Sequence, residues 1–277
     1  MEDSKYEVEE CRGVLRVYSD GTIARSSKPS FEVSIHDDGS ILWKDVVFEA
    51  MHNLQLRLYK PAYPTSSTAK LPVFYYIHGD GYAAVKWLQD QAVSNEPDTW
   101  LTDVADFSRV FISGDSAGGN IAHHLAVRLQ AGSAELDPVR VRGYVYLLPF
   151  FGGTKRTKFE AEGPKEAFLD IELIDRFWRL SIPIGSTTDH PIVNPFGPSS
   201  PNLEKIDLDP ILVLVGGCDL LKDRAQDYAN KLKSFGKNIE YVEFEGQQHG
   251  FFTINPNSEA SKKLMLVIKK FIQDNSS

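Results

Sequence analysis

A Gly-X-Ser-X-Gly pentapeptide between a predicted strand and a predicted helix constrains this chain more than any other feature. Residues 114–118 read Gly-Asp-Ser-Ala-Gly; they follow the apolar run 109–112 and precede a helical stretch over residues 120–129. A nucleophile elbow needs this setting, because its strained strand-to-helix turn leaves room only for small residues beside the serine. The pentapeptide alone is a modest signal, so the case for Ser116 depends on partner residues elsewhere in the chain.

Two later strands of the predicted sheet end in groups that can activate a serine. The run 211–215 is followed by a loop that carries Asp219, and the run 239–244 is followed by a loop that carries His249. The carboxyl ends of parallel strands meet at one edge of a sheet. A hydroxyl needs an imidazole to take its proton, and the imidazole needs a carboxylate to orient it. We therefore predict that Ser116, Asp219 and His249 form a catalytic triad, in the chain order of an α/β hydrolase.

Simpler roles exist for several of these polar residues. Asp219 could only cap the predicted helix 220–232, and His249 could be a loop histidine without a task. Their places after consecutive strands, downstream of the elbow, favour the triad. Asp115 is expected to face away from the serine hydroxyl. The adjacent residues His123 and His124 fall on different helix faces, so a shared metal ion is not expected.

Composition narrows the partners of the chain. The formal net charge is −8 and no basic cluster offsets it, which argues against nucleic acid or an anionic membrane as a partner. Neutral or weakly polar small molecules fit better, and the predicted triad makes a small-molecule ester the expected substrate. No apolar leader or bilayer-length stretch is predicted. Cys11 and Cys218 form no disulfide framework, so we expect a reducing compartment, the cytoplasm with the nucleus as a further location. The sequence leaves the oligomeric state open.

The layout of predicted elements is that of one α/β domain. The 277 residues suit a single α/β-hydrolase domain, with an N-terminal arm over about residues 1–40 and cap elements over about residues 150–200. Strands 41–48 and 54–59 are predicted to pair antiparallel, and 71–77 is predicted as a buried strand. The predicted helix 168–181 carries Phe177 and Trp178, which either cover a pocket or belong to the core.

Several motifs spread along the chain support a family resemblance. They are Leu-Arg-Val-Tyr-Ser-Asp-Gly at 15–21, the elbow extended to 114–120, His-Pro at 190–191 with Asn-Pro-Phe-Gly at 194–197, Asp-Leu-Leu at 219–221 and His-Gly-Phe at 249–251. With these motifs the chain resembles the plant carboxylesterases of the hormone-sensitive-lipase type (α/β hydrolase fold-3), and among them the carboxylesterase 15 group. The resemblance implies ester hydrolysis through an acyl-enzyme on Ser116, strigolactone-type esters as substrates, and no metal or organic cofactor.

One segment departs from the relatives. They carry His-Gly-Gly-Gly and then about forty residues before the next helix, whereas here His78-Gly79 continues directly into Asp80-Gly81. The N–H groups of Gly79, Asp80 and Ala117 are therefore the candidates for the oxyanion hole. In the relatives' sheet the missing strand lies between strands 54–59 and 71–77. The resemblance thus implies a fold that lacks one interior strand and one helix, with lower stability and weaker catalysis.

The same scaffold also supports functions other than that of a serine carboxylesterase. A hormone- or ligand-binding protein of the gibberellin-receptor kind resembles this family but lacks the catalytic histidine, which is present here as His249. Relatives that dehydrate isoflavanones carry threonine where this chain has Ser116. A catalytically impaired, ligand-binding protein remains the alternative, because the oxyanion-loop segment is missing.

Overall fold

The computed structural model describes residues 5–11, 13–26, 37–63, 70–77, 81–164 and 168–277. The chain divides into two compact units, residues 1–38 and 39–277. In the first unit three short strands form an antiparallel sheet in chain order, β1 (Glu7–Cys11), β2 (Leu15–Tyr18) and β3 (Ile23–Arg25). The single domain with an arm and a cap stays a prediction.

The second unit begins with a separate two-stranded sheet. Strands β4 (Ile41–Glu49) and β5 (Leu54–Pro61) pair antiparallel, as the alternation of apolar and polar residues predicts. The ion pair between Lys44 Nζ and Asp98 Oδ1, at 2.7 Å, joins β4 to the segment before the strand that leads to Ser116. On β5, the Lys60 ammonium lies 4.4 Å from the centre of the Trp100 ring.

A five-stranded parallel sheet forms the centre of the second unit. Its order is β10–β9–β8–β7–β6. The strands are β6 (Leu71–Ile77), β7 (Ala105–Asp115), β8 (Val141–Leu147), β9 (Ile211–Gly216) and β10 (Ile239–Phe244). Every residue of β9 is buried, as expected for a parallel strand that is covered on both faces. The fold is the predicted α/β-hydrolase fold.

Helices cover both faces of the central sheet. They are α1 (Gly81–Val93), α2 (Thr99–Thr102), α3 (Ala117–Leu129), α4 (Lys158–Glu162), α5 (Ile171–Ser181), α6 (Lys222–Ser234), α7 (Phe251–Ile254) and α8 (Glu259–Asp274), with a 3₁₀ turn at Ala134–Leu136. Residues of α1, α3 and α6 pack in one hydrophobic cluster with one sheet face. Residues of α7 and α8 pack with the other face. Within the described ranges, none of the helices is both long and apolar enough to cross a membrane.

The two sheets of the second unit share no strand pairing in the part of the chain that the structure describes. Across the described residues β5 pairs with β4 and β6 pairs with β7, and a cavity of about 660 Å³ lies between β5 and β6. Trp87 and Leu88 of α1 also line this cavity. Helix α1 connects β6 to β7, which is the crossover that two parallel strands require. In the relatives, as the resemblance implies, an interior strand lies between β5 and β6. Here that position is occupied by the cavity, and β5 and β6 are not paired with each other in the described residues.

Candidate active site

Ser116 occupies a strained turn between β7 and α3. Its backbone has φ +51° and ψ −116°, a conformation that non-glycine residues rarely adopt. Two hydrogen bonds from the β8 side hold this turn. Ser116 N–H donates to the Leu147 carbonyl at 2.9 Å, and Phe150 N–H donates to the Ser116 carbonyl at 2.9 Å. The strain thus has structural support on both sides of the serine.

The glycines of the pentapeptide allow close backbone packing around the serine. A Cβ built on Gly118 would lie less than 3.0 Å from the Ile77 carbonyl oxygen, and one built on Gly114 would lie less than 3.0 Å from Gly118 backbone atoms. Helix α3 therefore starts in backbone contact with the ends of β6 and β7. Any larger side chain at either position would push the helix away and move the serine with it.

The three polar residues predicted at the strand ends lie within hydrogen-bonding distance of each other. His249 Nδ1 is 2.7 Å from Asp219 Oδ2, and His249 Nε2 is 3.0 Å from Ser116 Oγ. Asp219 and His249 are only 1% and 7% exposed, so their contact is shielded from water. A carboxylate can only accept, so Nδ1 carries the proton and Nε2 is left to accept from the serine hydroxyl.

The backbone around the acid fixes its orientation. Asp219 Oδ1 accepts a hydrogen bond from Leu221 N–H at 3.0 Å, which leaves Oδ2 for the histidine. The loop of the acid is bonded to the loop of the histidine, since Cys218 N–H donates to the Gln247 carbonyl at 2.8 Å. Helix α6 begins at Lys222 rather than at residue 220, and Asp219 precedes its N-cap, Leu221. Asp219 is therefore not the N-cap of this helix.

The predicted oxyanion donors are only partly within the described residues. Ala117 is the first residue of α3 and is exposed, so its N–H stands at the helix N-terminus beside Ser116. The first N–H groups of a helix have no intrahelical acceptor and carry a partial positive charge. Gly79 and Asp80 lie outside the described residues.

Asp115 and the histidine pair take positions apart from the triad. Asp115 interacts with the Tyr76 hydroxyl on the neighbouring strand, and burial together with this carboxylate raises the pKa of Tyr76. His123 is buried, and its Nδ1 lies 3.0 Å from the Tyr228 hydroxyl. Burial lowers the pKa of His123 well below its ordinary value, so the ring stays neutral. His124 Nε2 contacts the Ile192 carbonyl instead, at 3.3 Å.

Aromatic residues of α5 pack against the loop that follows β8. Phe150 lies 4.6 Å from Trp178 and 6.1 Å from Phe177, measured between ring centres. Trp178 is buried, which fits the core interpretation, whereas Phe177 is half-buried and Phe168 is exposed. The helix begins at Ile171 rather than at residue 168, because the Asp170 side chain accepts from Leu173 N–H and caps it.

Two groups near the site were missed by sequence reasoning. Asn120 Nδ2 donates to the carbonyls of Phe150 and Ile192, at 2.9 and 2.8 Å, and so holds two loops beside the elbow. Glu160 and Arg224 form an ion pair between α4 and α6. The sequence does contain a signal for α4, because Thr157 and Glu160 have the spacing of a capping box, which the structure contains.

Comparison with known proteins identifies a matching family and several similar proteins. A protein-family model described as alpha/beta hydrolase fold matches residues 39–253. Probable carboxylesterase 4, mitochondrial, from Arabidopsis thaliana is 30% identical over 315 aligned positions, which cover 94% of this chain and 81% of that protein. That alignment is longer than the 277 residues of this chain, so the relative contains residues that this chain lacks.

Two further matches extend the comparison. Gibberellin receptor GID1C of Arabidopsis thaliana is 35% identical over 70% of this chain, but the match spans only 53% of the receptor. The solved structure of EstE1, a thermostable carboxylesterase cloned from a metagenomic library, superposes with a TM-score of 0.67 at 22% identity, over 85% of this chain and 90% of that one. This structural match concerns the fold alone. On the family match and the carboxylesterase relative, the chain belongs to the α/β-hydrolase-fold family that includes plant carboxylesterases.

Proposed function

We propose that the protein is a serine carboxylesterase that hydrolyses small carboxylic esters through an acyl-enzyme on Ser116. The observation that carries the proposal is the hydrogen-bonded series from Asp219 through His249 to Ser116 Oγ, at 2.7 and 3.0 Å. This geometry is what an activated serine nucleophile needs. The carboxylesterase relative, which covers 94% of the chain, supports the same reaction class.

The reaction proceeds in two steps, acylation and deacylation, and His249 accepts and returns one proton in each. In acylation, Ser116 Oγ bonds to the ester carbonyl carbon while its proton passes to His249 Nε2; the C–O bond to the alcohol then breaks and the alcohol leaves with that proton. In deacylation, a water molecule attacks the acyl carbon, gives one proton to His249, and releases the acid as Ser116 recovers its proton. Asp219 stabilises the imidazolium cation in both halves.

Stabilisation of the oxyanion depends on the beginning of α3 and on the segment before α1. We assign the Ala117 N–H as one donor, with Gly79 and Asp80 as the proposed donors from the shortened loop. Loss of one oxyanion donor costs about a hundredfold to a thousandfold in kcat. A carboxylate at position 80 also disfavours negative charge that forms nearby. We therefore expect a slower esterase than a relative with a complete glycine loop.

The substrate class follows from the surroundings of the serine. Phe177 is half-buried and packs on the buried Phe150, and the exposed Phe168 donates its N–H to Gln248 Oε1 beside His249. Aromatic side chains at these places favour apolar acyl or alcohol groups. On the basis of the family resemblance we also propose strigolactone-type esters as substrates. The segment of about residues 150–200 would then act as a cap over the bound ester. Because Cys11 and Cys218 are both free thiols, we place the activity in a reducing compartment, the cytoplasm or nucleus.

Ligand binding without turnover is the second candidate function. The observation that favours it is the open position between β5 and β6, next to the strand that leads into the oxyanion segment. The similarity to a gibberellin receptor adds a binding protein to the relatives. The intact Asp219–His249–Ser116 geometry favours the esterase.

Hydrolysis of p-nitrophenyl acetate by purified protein tests the two functions. We expect turnover and fluorophosphonate labelling by the wild type, and neither in Ser116→Ala. Ser113→Ala is the matched control, because it also removes a serine hydroxyl, at a buried position of β7 where Oγ has no hydrogen-bond partner among the described residues. A cooperatively melting wild type without turnover would exclude the esterase and leave the binding function. Labelling that survives in Ser116→Ala would refute the choice of nucleophile.

A further inference from the structure

A buried ion pair connects the segment after β8 with the helix that follows the acid. Arg224 Nε donates to Glu160 Oε1 at 2.8 Å, and Arg224 Nη2 donates to Glu160 Oε2 at 2.7 Å. The two side chains are 14% and 1% exposed. Burying such a pair carries a desolvation penalty that can exceed the attraction between the charges. Stability is therefore a weak explanation for this pair.

Arg224 also bonds to the backbone of the loop after β8, in which Phe150 N–H donates to the Ser116 carbonyl. Its Nη2 donates to the Lys155 carbonyl at 2.7 Å and to the Gly153 carbonyl at 3.3 Å. A Cβ on Gly153 would lie less than 3.0 Å from Arg224 Nη1, so the loop is packed directly against the guanidinium. Because Nη2 has two N–H groups for Glu160 Oε2 and these two carbonyls, one N–H is shared between two acceptors, and the contact with the Gly153 carbonyl is the longest of the three. The planar guanidinium holds this arrangement together with the Nε bond to Glu160, whereas an ammonium cannot match that geometry.

These bonds complete a closed series of contacts around the triad. Starting at the nucleophile, the Ser116 carbonyl accepts from Phe150 N–H, and three residues later the Gly153 carbonyl accepts from Arg224. Arg224 lies in the first turn of α6, and Lys222 N–H at the start of this helix donates to the Asp219 carbonyl at 3.0 Å. Asp219 then returns to Ser116 through His249.

We propose that Arg224 is a positioning residue for the ester hydrolysis, and this inference rests on the proposed function. Arg224 fixes the separation between the loop that supports Ser116 and the helix start that supports Asp219. His249 Nε2 then stays within reach of Ser116 Oγ. Arg224 touches none of the reacting atoms, so its effect passes through the backbone at Gly153 and at the start of α6.

The main test variant removes the guanidinium without leaving a charge unpaired. In Glu160→Gln with Arg224→Met, glutamine keeps the capping box by accepting from Thr157 N–H, as Glu160 Oε2 does at 2.9 Å. Glu160→Gln alone keeps the bonds from Arg224 to the two carbonyls.

The matched control is Arg140→Met. Arg140 donates to the Gly132 carbonyl and to Asp137 Oδ1, at 2.9 and 3.2 Å, just before the amino end of β8. It therefore makes the same kinds of bond at the end of the strand opposite to the triad.

Steady-state kinetics with p-nitrophenyl acetate separate positioning from folding. In the double variant we expect kcat to fall about tenfold to a hundredfold, with KM within about threefold of wild type and a cooperative melt. The rate of fluorophosphonate labelling should fall in parallel. Glu160→Gln and Arg140→Met should keep kcat within about threefold of wild type. If the double variant does not melt cooperatively, Arg224→Lys decides, because it keeps the charge pair but not the planar donor set.

If the double variant folds and keeps the wild-type kcat, the positioning role is overturned. If the double variant does not fold, a wild-type kcat in Arg224→Lys overturns it. A loss confined to KM overturns it as well. Absence of Ser116-dependent turnover in the wild type overturns the proposed function and this inference with it. The wild-type rate therefore distinguishes failure of the function from failure of the inference.

Discussion

Replacement of Gly118 by alanine tests whether backbone contact sets the position of the nucleophile. The new Cβ would lie closer than 3.0 Å to the Ile77 carbonyl oxygen, and the first turn of α3 would have to withdraw by about 1 Å to relieve the contact. Ser116 directly precedes this turn, so the 3.0 Å contact between its Oγ and His249 Nε2 should lengthen by a similar amount. A misplacement of about 1 Å can cost about a hundredfold in rate. We expect a loss of that order in kcat/KM and about 1–3 kcal/mol of stability from overpacking.

Gly119→Ala is the matched control for this prediction. It makes the same change at the next residue of α3, where the new Cβ would lie 3.1 Å from the Gly114 carbonyl oxygen and from Pro149 Cα. A shift of a few tenths of an ångström relieves those contacts, and alanine gains about 1 kcal/mol over glycine in a helix, so the two effects nearly offset. Hydrolysis of p-nitrophenyl acetate and thermal melting followed by circular dichroism would be measured on both variants. Equal activity of Gly118→Ala and Gly119→Ala would refute the reasoning.

Three further predictions concern the acid, a buried carboxyl and the separate two-stranded sheet. Asp219→Asn should lower kcat about 10⁴-fold with little change in Tm, because the amide favours the wrong tautomer of His249; a loss below tenfold would argue against the triad. Burial raises the pKa of Asp209 to about 6, so the contribution of Asp209 to the free energy of unfolding should fall as pH rises from about 4 to 6. Asp209→Asn should abolish that fall and stabilise the protein at pH 7 by about 1–2 kcal/mol, after allowance for partial exposure. Thermal melts of the wild type and the variants over that pH range measure this contribution, with Asp227→Asn as the exposed control. If the stability of Asp209→Asn depends on pH in the same way as that of the wild type and the control, the prediction is contradicted. Hydrogen exchange should be faster in β4 and β5 than in β7, because an isolated pair of strands is marginally stable; equal protection would mean that the two sheets open together.

The central sheet, and the placement of Ser116, Asp219 and His249 after its strands, could be predicted because their signals are local and strong. Buried parallel strands are continuous apolar runs, and the predicted bounds of β6 and β10 coincide with those in the structure. The acid and the histidine follow strand ends, so topology alone brings them near the serine. The contact distances at Ser116, His249 and Asp219 required the structure.

Other features could not be predicted for physical reasons. Helix α4 has only five residues, which are too few to show a helical period. Its capping box is the one local signal that indicates it. Strand β1 carries three glutamates and buries only Cys11, so it lacks the apolar pattern of a core strand. The Arg224 ion pair joins residues 64 positions apart, and no local pattern indicates such a contact. The sequence also does not decide whether β5 pairs with β6, because the alternation of apolar and polar residues in β5 suits an edge strand with or without that neighbour.

The open position in the sheet and the triad lie on opposite sides of β6. Ser116, Asp219 and His249, the proposed triad, follow β7, β9 and β10, which with β8 form a continuously paired block. The break lies beyond β6, at the far edge of the same sheet. The Asp219–His249–Ser116 geometry therefore does not depend on the position between β5 and β6. The oxyanion segment does depend on that side, because it follows the end of β6. Consequently the shortened segment should slow the stabilisation of the tetrahedral intermediate and loosen β4 and β5, while Ser116 remains a nucleophile that fluorophosphonates can label.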